Sequence, residues 1–168
     1  MERAKKSAEA VMSYDTSRML IEGKKQTQVK LKWNDRATGL PIIGYVDFET
    51  LAWETNFIVD LKTTSDADPD EFVKSAVKFD YHLQAGCYME GYPRLRFKFP
   101  QFAFLAVETD EPYNVSVMFC DSKYIQDAKD EFMGTLLAFK RCMDLNLFHQ
   151  GYEFRLMDTK PYHSMSIP

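Results

Sequence analysis

The chain has 168 residues, 45% of them hydrophobic and 27% charged, with 7 Gly and 7 Pro. That bounds it to about one globular domain and excludes collagen-like and low-complexity classes. Lys and Arg total 21 against 25 Asp and Glu, a net charge of −4, so bulk positive charge does not hold this protein to nucleic acid and any phosphate binding is local. The three cysteines Cys87, Cys120 and Cys142 form no CxxC pair, which speaks against a disulfide framework and against an iron–sulfur or zinc site. No secretory leader or run of 18 apolar residues stands in the sequence, so a cytoplasmic protein with no membrane partner is expected.

Residues 3 to 23 carry Ala4, Ala8, Val11, Met12, Met19 and Leu20 at helical spacing, with Asp15-Thr16-Ser17 placed to break or re-cap the helix and Gly23 to close it. From Gln28 to Trp33 apolar and polar residues alternate, and Asn34 to Gly39 supplies a hairpin turn. Strands over Leu40–Phe48 and Asn56–Thr63 complete a three-strand meander centred near Trp53-Glu54. Asp68-Pro69-Asp70-Glu71 reads as an N-cap, a proline at the first helical position and a capping-box acid. The helix it opens runs to about Phe79. A further helix over Asp80–Glu90 is ended by Gly91 and Pro93. Strands over Gln101–Val107 and Tyr113–Phe119 follow. Asp121-Ser122 caps a final helix to about Asn146, with Ile125, Ala128, Phe132, Leu136, Phe139 and Met143 on one face.

The chemistry sits in Gly44-Tyr45-Val46-Asp47 and Phe57-Ile58-Val59-Asp60-Leu61-Lys62-Thr63-Thr64. Residues two apart on a strand face the same side, so Asp60 and Lys62 point together. The hairpin register places Asp47 directly opposite Asp60, with Cβ atoms roughly 4.5–5.5 Å apart. Two carboxylates so close repel unless a cation lies between them. Mg²⁺, which takes one or two carboxylates and leaves its other positions to water and phosphate, suits that gap. With a lysine to orient the water, this is the minimum equipment for metal-assisted phosphodiester hydrolysis. Asp-x-Lys alone is cheap: Asp121-Ser122-Lys123, Asp127-Ala128-Lys129 and Asp158-Thr159-Lys160 repeat the spacing. Only Asp60-Leu61-Lys62 ends an apolar strand, and an isolated surface pair there is worth about 0–1 kcal/mol.

Asp47, the Asp60-Leu61-Lys62-Thr63-Thr64 strand, and Tyr81-His82-Leu83-Gln84-Ala85-Gly86-Cys87-Tyr88 with Gly91-Tyr92 resemble the PD-(D/E)XK nuclease superfamily, and within it the exonuclease VIII (RecE-type) branch of phage and prophage recombination. The resemblance spans roughly residues 28 to 146. It implies an α/β (α+β), restriction-endonuclease-like core with a mixed central sheet of about five strands flanked by helices. It further implies a metal-dependent exonuclease acting on DNA duplex ends. Asp47 and Asp60 would hold Mg²⁺ or Mn²⁺, the Leu61 carbonyl would add a backbone ligand, Lys62 would position the attacking water, and Gln84 and Tyr88 would contact the scissile strand. A homo-oligomer and a single-strand annealing protein are the partners it suggests. Arg94, Arg96 and Lys98 alternate with apolar residues and read either as a basic strand edge on the DNA backbone or as an ordinary half-exposed strand. Lys74 and Lys78, one turn apart, read the same two ways. His82 is off the Gln84 face and is assigned packing or surface duty.

The sequence also departs from the family pattern. Relatives often carry a His or acid on an N-terminal helix and a Glu near the first strand, whereas the helix here offers Glu9 and Glu22 but no His, and Gln28 stands near the strand. The expected organisation is one nuclease domain over 1–168, made of a helical segment 1–27, a core 28–146 and a tail 147–168. A fragment of a longer protein is the alternative. A catalytically silent DNA-binding or assembly subunit and a site-specific endonuclease are the competing functions.

Overall fold

The computed structural model describes residues 2–96 and 99–147. The chain runs α1 (Glu2–Ser13), α2 (Asp15–Glu22), β1 (Lys24–Asn34), β2 (Pro41–Ala52), β3 (Thr55–Thr64), α3 (Pro69–Lys78), α4 (Tyr81–Arg96), β4 (Gln101–Glu108), β5 (Val115–Cys120) and α5 (Ser122–Asp144). The strands form one sheet in the order β1-β2-β3-β4-β5. β3 and β4 pair in parallel and the other neighbours antiparallel. A parallel pair needs a crossover, and α3 with α4 supplies it. This is the mixed five-strand α/β fold expected from the sequence.

The sheet is covered on both faces, so the interior of β4 and residues 57–59 of β3 are continuous apolar runs. One face buries Val29, Leu31, Trp33, Val46, Ile58, Phe102 and Phe104 under α4 residues Ala85, Tyr88 and Tyr92. The other buries Phe48, Ala52, Phe57, Val59, Ala103 and Leu105 under Val11 of α1 and Leu20 of α2. Trp53 and Glu54, both at positive φ (46° and 60°), make the two-residue turn between β2 and β3. The Trp53 ring packs edge-on against Phe57 and Phe119 at 6.1 and 5.9 Å.

Four local expectations are corrected. α4 does not stop at Gly91 and Pro93 but continues to Arg96. Gly91 lies under the Trp33 ring, where a Cβ would come within 2.4 Å of it, so this glycine serves close helix–sheet approach rather than termination. Consequently Arg94 and Arg96 sit on the last turn of a helix and not on a strand. Asp68 does cap α3, accepting from Asp70 N and Glu71 N. Glu71, however, pairs with Lys74 while Asp68 N donates to Asp66 Oδ1, so no capping box closes. β2 extends to Ala52, held by Thr50 Oγ1 donating to Leu20 O at 2.7 Å. On α5, Ile125, Ala128, Phe132 and Leu136 are shielded, whereas Phe139 and Met143 are 49% and 46% exposed. Lys98 and residues 148–168 of the expected tail lie outside the described residues.

Candidate metal-dependent nuclease site

The sheet changes character at one point. β2 pairs with β3 from Ala52↔Thr55 back to Phe48↔Val59, the expected register, and the ladder then ends. On β2, Val46 packs on the α4 side and Phe48 on the α1 side. Two residues apart on a regular strand share a face, so the alternation reverses across Asp47. On β1 the neighbouring irregularity is Gln28, a non-glycine at φ 50°, between Thr27↔Phe48 and Val29↔Val46. A break of this kind bends a strand and re-aims a side chain, as bulges beside active sites do. Here it turns Asp47 into the gap between β2 and β3. Its Oδ2 accepts from Leu61 N at 2.8 Å and its Oδ1 from Gln28 Nε2 at 3.5 Å.

Asp60 and Lys62 point to one side of β3, as expected, and that side faces α4. Lys62 Nζ lies 2.6 Å from Asp60 Oδ2 and donates to Gln84 Oε1 at 2.7 Å, with the Tyr81 ring centroid 4.4 Å away. Gln84 Nε2 donates to Tyr88 Oη at 3.0 Å, and Tyr88 Oη donates to Tyr45 O at 2.8 Å. Gly44 leaves room for the Tyr88 ring, since a Cβ there would meet it at 2.8 Å. Asp60, Lys62, Gln84 and Tyr88 thus form one polar chain across the β3–α4 interface, and Asp47 stands at its open end.

Asp60 is 1% exposed. Burial pushes its carboxyl up to about 6; Lys62 draws it down and the negative charge of Asp47 raises it further. Its Oδ2 touches Lys62 without hydrogen-bond alignment and has no hydrogen bond of its own. Burial likewise raises the Tyr88 phenol. A buried carboxylate oxygen lacking a hydrogen bond, beside a second carboxylate, fits a divalent cation. Among the described residues no group of three or more His, Cys, Asp and Glu gathers as a metal cage. The oxygens at the gap that could hold such a cation are those of Asp47, Asp60 and the Leu61 carbonyl. That carbonyl faces the edge its own N–H faces, toward Asp47. Two carboxylates and a carbonyl suit Mg²⁺ or Mn²⁺, which keep several waters, better than zinc.

The other basic residues lie apart. Lys74 and Lys78 are exposed on α3. Arg94 bonds Glu90 and approaches Asp35 Oδ2 at 3.9 Å, and Arg96 donates to Gln26 Oε1 at 3.1 Å. His82 Nε2 meets Glu131 Oε2 of α5 at 3.1 Å. Sequence reasoning missed that Gln28 reaches Asp47, since nothing in an alternating strand announces a left-handed residue. It also missed Tyr45, whose carbonyl anchors the Tyr88 end of the chain.

No curated protein matches this sequence. Among solved structures, the crystal structure of a protein from Eubacterium rectale named "Putative exonuclease" aligns with a TM-score of 0.63 at 17% identity, over 83% of this chain and 53% of that one. The two share a fold, and this chain spans about half the length of that neighbour. The chain belongs to the family described as PDDEXK-like domain of unknown function (DUF3799), whose model matches residues 1–148.

Proposed function

We propose that this chain is a metal-dependent deoxyribonuclease that hydrolyses phosphodiester bonds from DNA duplex ends, in recombination of the phage or prophage kind. The observation that carries the chemistry is the Asp60–Lys62 contact of 2.6 Å beside Asp47, where β2 leaves β3. End dependence and the recombination role rest on the resemblance of Asp47, the Asp60 to Thr64 strand and the Tyr81 to Tyr88 helix to the exonuclease VIII branch. So do a homo-oligomeric state and an annealing-protein partner.

Asp47, Asp60 and the Leu61 carbonyl would hold Mg²⁺ or Mn²⁺. The cation, when bound, supplies a Lewis acid for the developing charge on phosphate and lowers the pKa of water. Lys62 has three donors; Gln84 takes one and the Asp60 carboxylate holds the ammonium by charge, which leaves a donor to orient a water toward the phosphorus. Gln84, itself held by Tyr88, keeps Lys62 from swinging out and stands beside the scissile strand. Lys74, Lys78 and Arg96 are proposed as outlying phosphate contacts, and Arg94 as a brace between α4 and the β1–β2 turn.

The test is degradation of linear against closed circular duplex DNA with Mg²⁺ or Mn²⁺ and an EDTA control, wild type beside Lys62→Ala. Metal-dependent loss of linear DNA alone, abolished by the substitution, is the expected result. Cleavage of circles would point to an endonuclease. The amide of Gln28 beside Asp47 favours a second reading, a silent DNA-binding subunit, which binding without cleavage would support.

A further inference from the structure

Beyond the break at Asp47, the two ends of the β1–β2 hairpin diverge in character. Its α4 side is packed, with Val29, Leu31, Trp33 and Val46 buried. Its opposite side is bare. There Lys30 stands directly across from Tyr45, and Lys32 across from Ile43, a two-by-two array on one face. Ile43 and Tyr45 are 56% and 47% exposed, and both lysines are exposed. The Lys30 ammonium lies 5.9 Å from the Tyr45 ring centroid. Among the described residues neither lysine has an ion-pair partner, although most lysines of α1, α3 and α5 have one. Between Gln28 and Val46 the one acidic residue is Asp35, and it is buried, bound to Ala37 N and to Thr38 N and Oγ1. In a chain of net charge −4 this is a locally positive face with an aromatic ring on it.

We propose that this face binds a DNA strand, with phosphates on Lys30 and Lys32 and a base stacked on Tyr45, and that it leads the strand to Asp47. The inference rests on the nuclease reading of the site. Unpaired lysines interleaved with an exposed aromatic are what a single strand uses: ammonium groups follow the backbone and the ring takes a base of any sequence. The face lies on the side of the hairpin opposite α4 and borders the gap between β2 and β3 in which Asp47 stands. Tyr45 is two residues from Asp47, about 7 Å along the strand, and its carbonyl accepts from Tyr88 Oη, the end of the chain that begins at Lys62. Gln28, next on the Lys30–Lys32 row, touches Asp47. A protein partner of the bare face would have to bury two lysines against acids, which makes a strand of phosphates the better complement.

The experiment is fluorescence anisotropy of a short fluorescein-labelled single-stranded oligonucleotide with the full chain in EDTA, run as a salt titration. Lys30→Glu/Lys32→Glu, Lys30→Gln/Lys32→Gln, Tyr45→Ala and Tyr45→Phe are compared with Lys123→Glu/Lys140→Glu, an equal charge change on α5. All variants are checked by thermal melting, and nuclease activity is measured alongside. Both hairpin pairs should weaken binding about tenfold or more and flatten the salt dependence by about 1.4 in slope, two contacts at about 0.7 each. Tyr45→Ala should lose about tenfold and Tyr45→Phe little. Equal weakening by the α5 pair would reduce the effect to bulk charge and overturn the proposal. So would wild-type binding and cleavage left intact by the hairpin variants, which would spare the nuclease reading. Hairpin substitutions that alter sedimentation but not DNA affinity would overturn it in favour of a contact between copies. Hairpin-dependent binding without metal-dependent cleavage would uphold the surface and remove the nuclease reading instead.

Discussion

Lys62 is useful because its neighbours leave it little freedom. A lysine on a strand end ordinarily samples many rotamers, at an entropy of up to about 2 kcal/mol. Here Asp60, Gln84 and the Tyr81 ring hold it from three sides. Lys62→Ala should cut cleavage by about 10²-fold or more, measurable on linear DNA with Mg²⁺, and should also lower the thermal midpoint at pH 8, because it leaves the buried Asp60 carboxylate without its ammonium. Gln84→Ala removes the hold but not the ammonium, and should cost less, about tenfold. Asp60 is the opposite case, a charge the fold tolerates only for what can sit beside it. Its carboxyl is raised by burial and by Asp47 more than Lys62 relieves it, so Asp60→Asn should melt higher than wild type in EDTA at pH 8. The same substitution should abolish the rise in melting temperature that Mg²⁺ or Mn²⁺ gives wild type. A melting curve unchanged by either metal in wild type would sink the assignment of Asp47 and Asp60 as ligands.

The order of the elements was legible in the sequence because local signals mark them: Asp68-Pro69 for α3, Asp121 for α5, alternation for β1. The register of β2 on β3 followed from the turn, since a two-residue hairpin at Trp53-Glu54 fixes every pair behind it. What was not legible is set by packing. Gly91 and Pro93 carry strong stop signals, yet α4 passes through both. The Tyr92 ring, 2% exposed, and its bond to Glu49 outweigh the one backbone N–H that Pro93 lacks. The reversal at Asp47 was hidden too, because β2 still buries every second residue from Val46 to Ala52 while exchanging the face it buries. Gly91→Ala tests the reading of α4. On propensity alone alanine would stabilise a helix by about 1 kcal/mol. With Trp33 ring atoms 2.4 to 2.8 Å from the new Cβ, the protein should instead lose about 1–3 kcal/mol, seen in urea unfolding. A gain in stability would mean that α4 can lift off β1.

At the scale of the molecule, the segments that frame the site are drawn together by an acid remote from it. Glu108, 5% exposed at the end of β4, accepts from Ala67 N after β3 at 3.1 Å and from Asn114 N and Nδ2 before β5 at 2.8 and 3.1 Å. Its carbonyl accepts from Ser7 Oγ of α1 at 2.9 Å. Burial works to raise the Glu108 carboxyl, and the three bonds together outweigh it and leave it below its ordinary value. A carboxyl lowered in the folded state contributes stability that is present above its unfolded pKa of 4.5 and is lost as the pH falls through the folded value. Glu108→Ala should cost about 1–3 kcal/mol at pH 7, because two backbone N–H groups lose their acceptor. Urea titrations of wild type and variant should converge as the pH drops below about 4.5. A gap that stays constant from pH 7 to pH 3 would mean that the loss comes from packing and not from the charged acceptor. Since the carboxylate ties the loop that follows the Asp60–Lys62 strand to the β4–β5 turn, Glu108→Gln should lower cleavage more than its modest loss of stability explains. The comparison at a temperature where both proteins are folded separates the two.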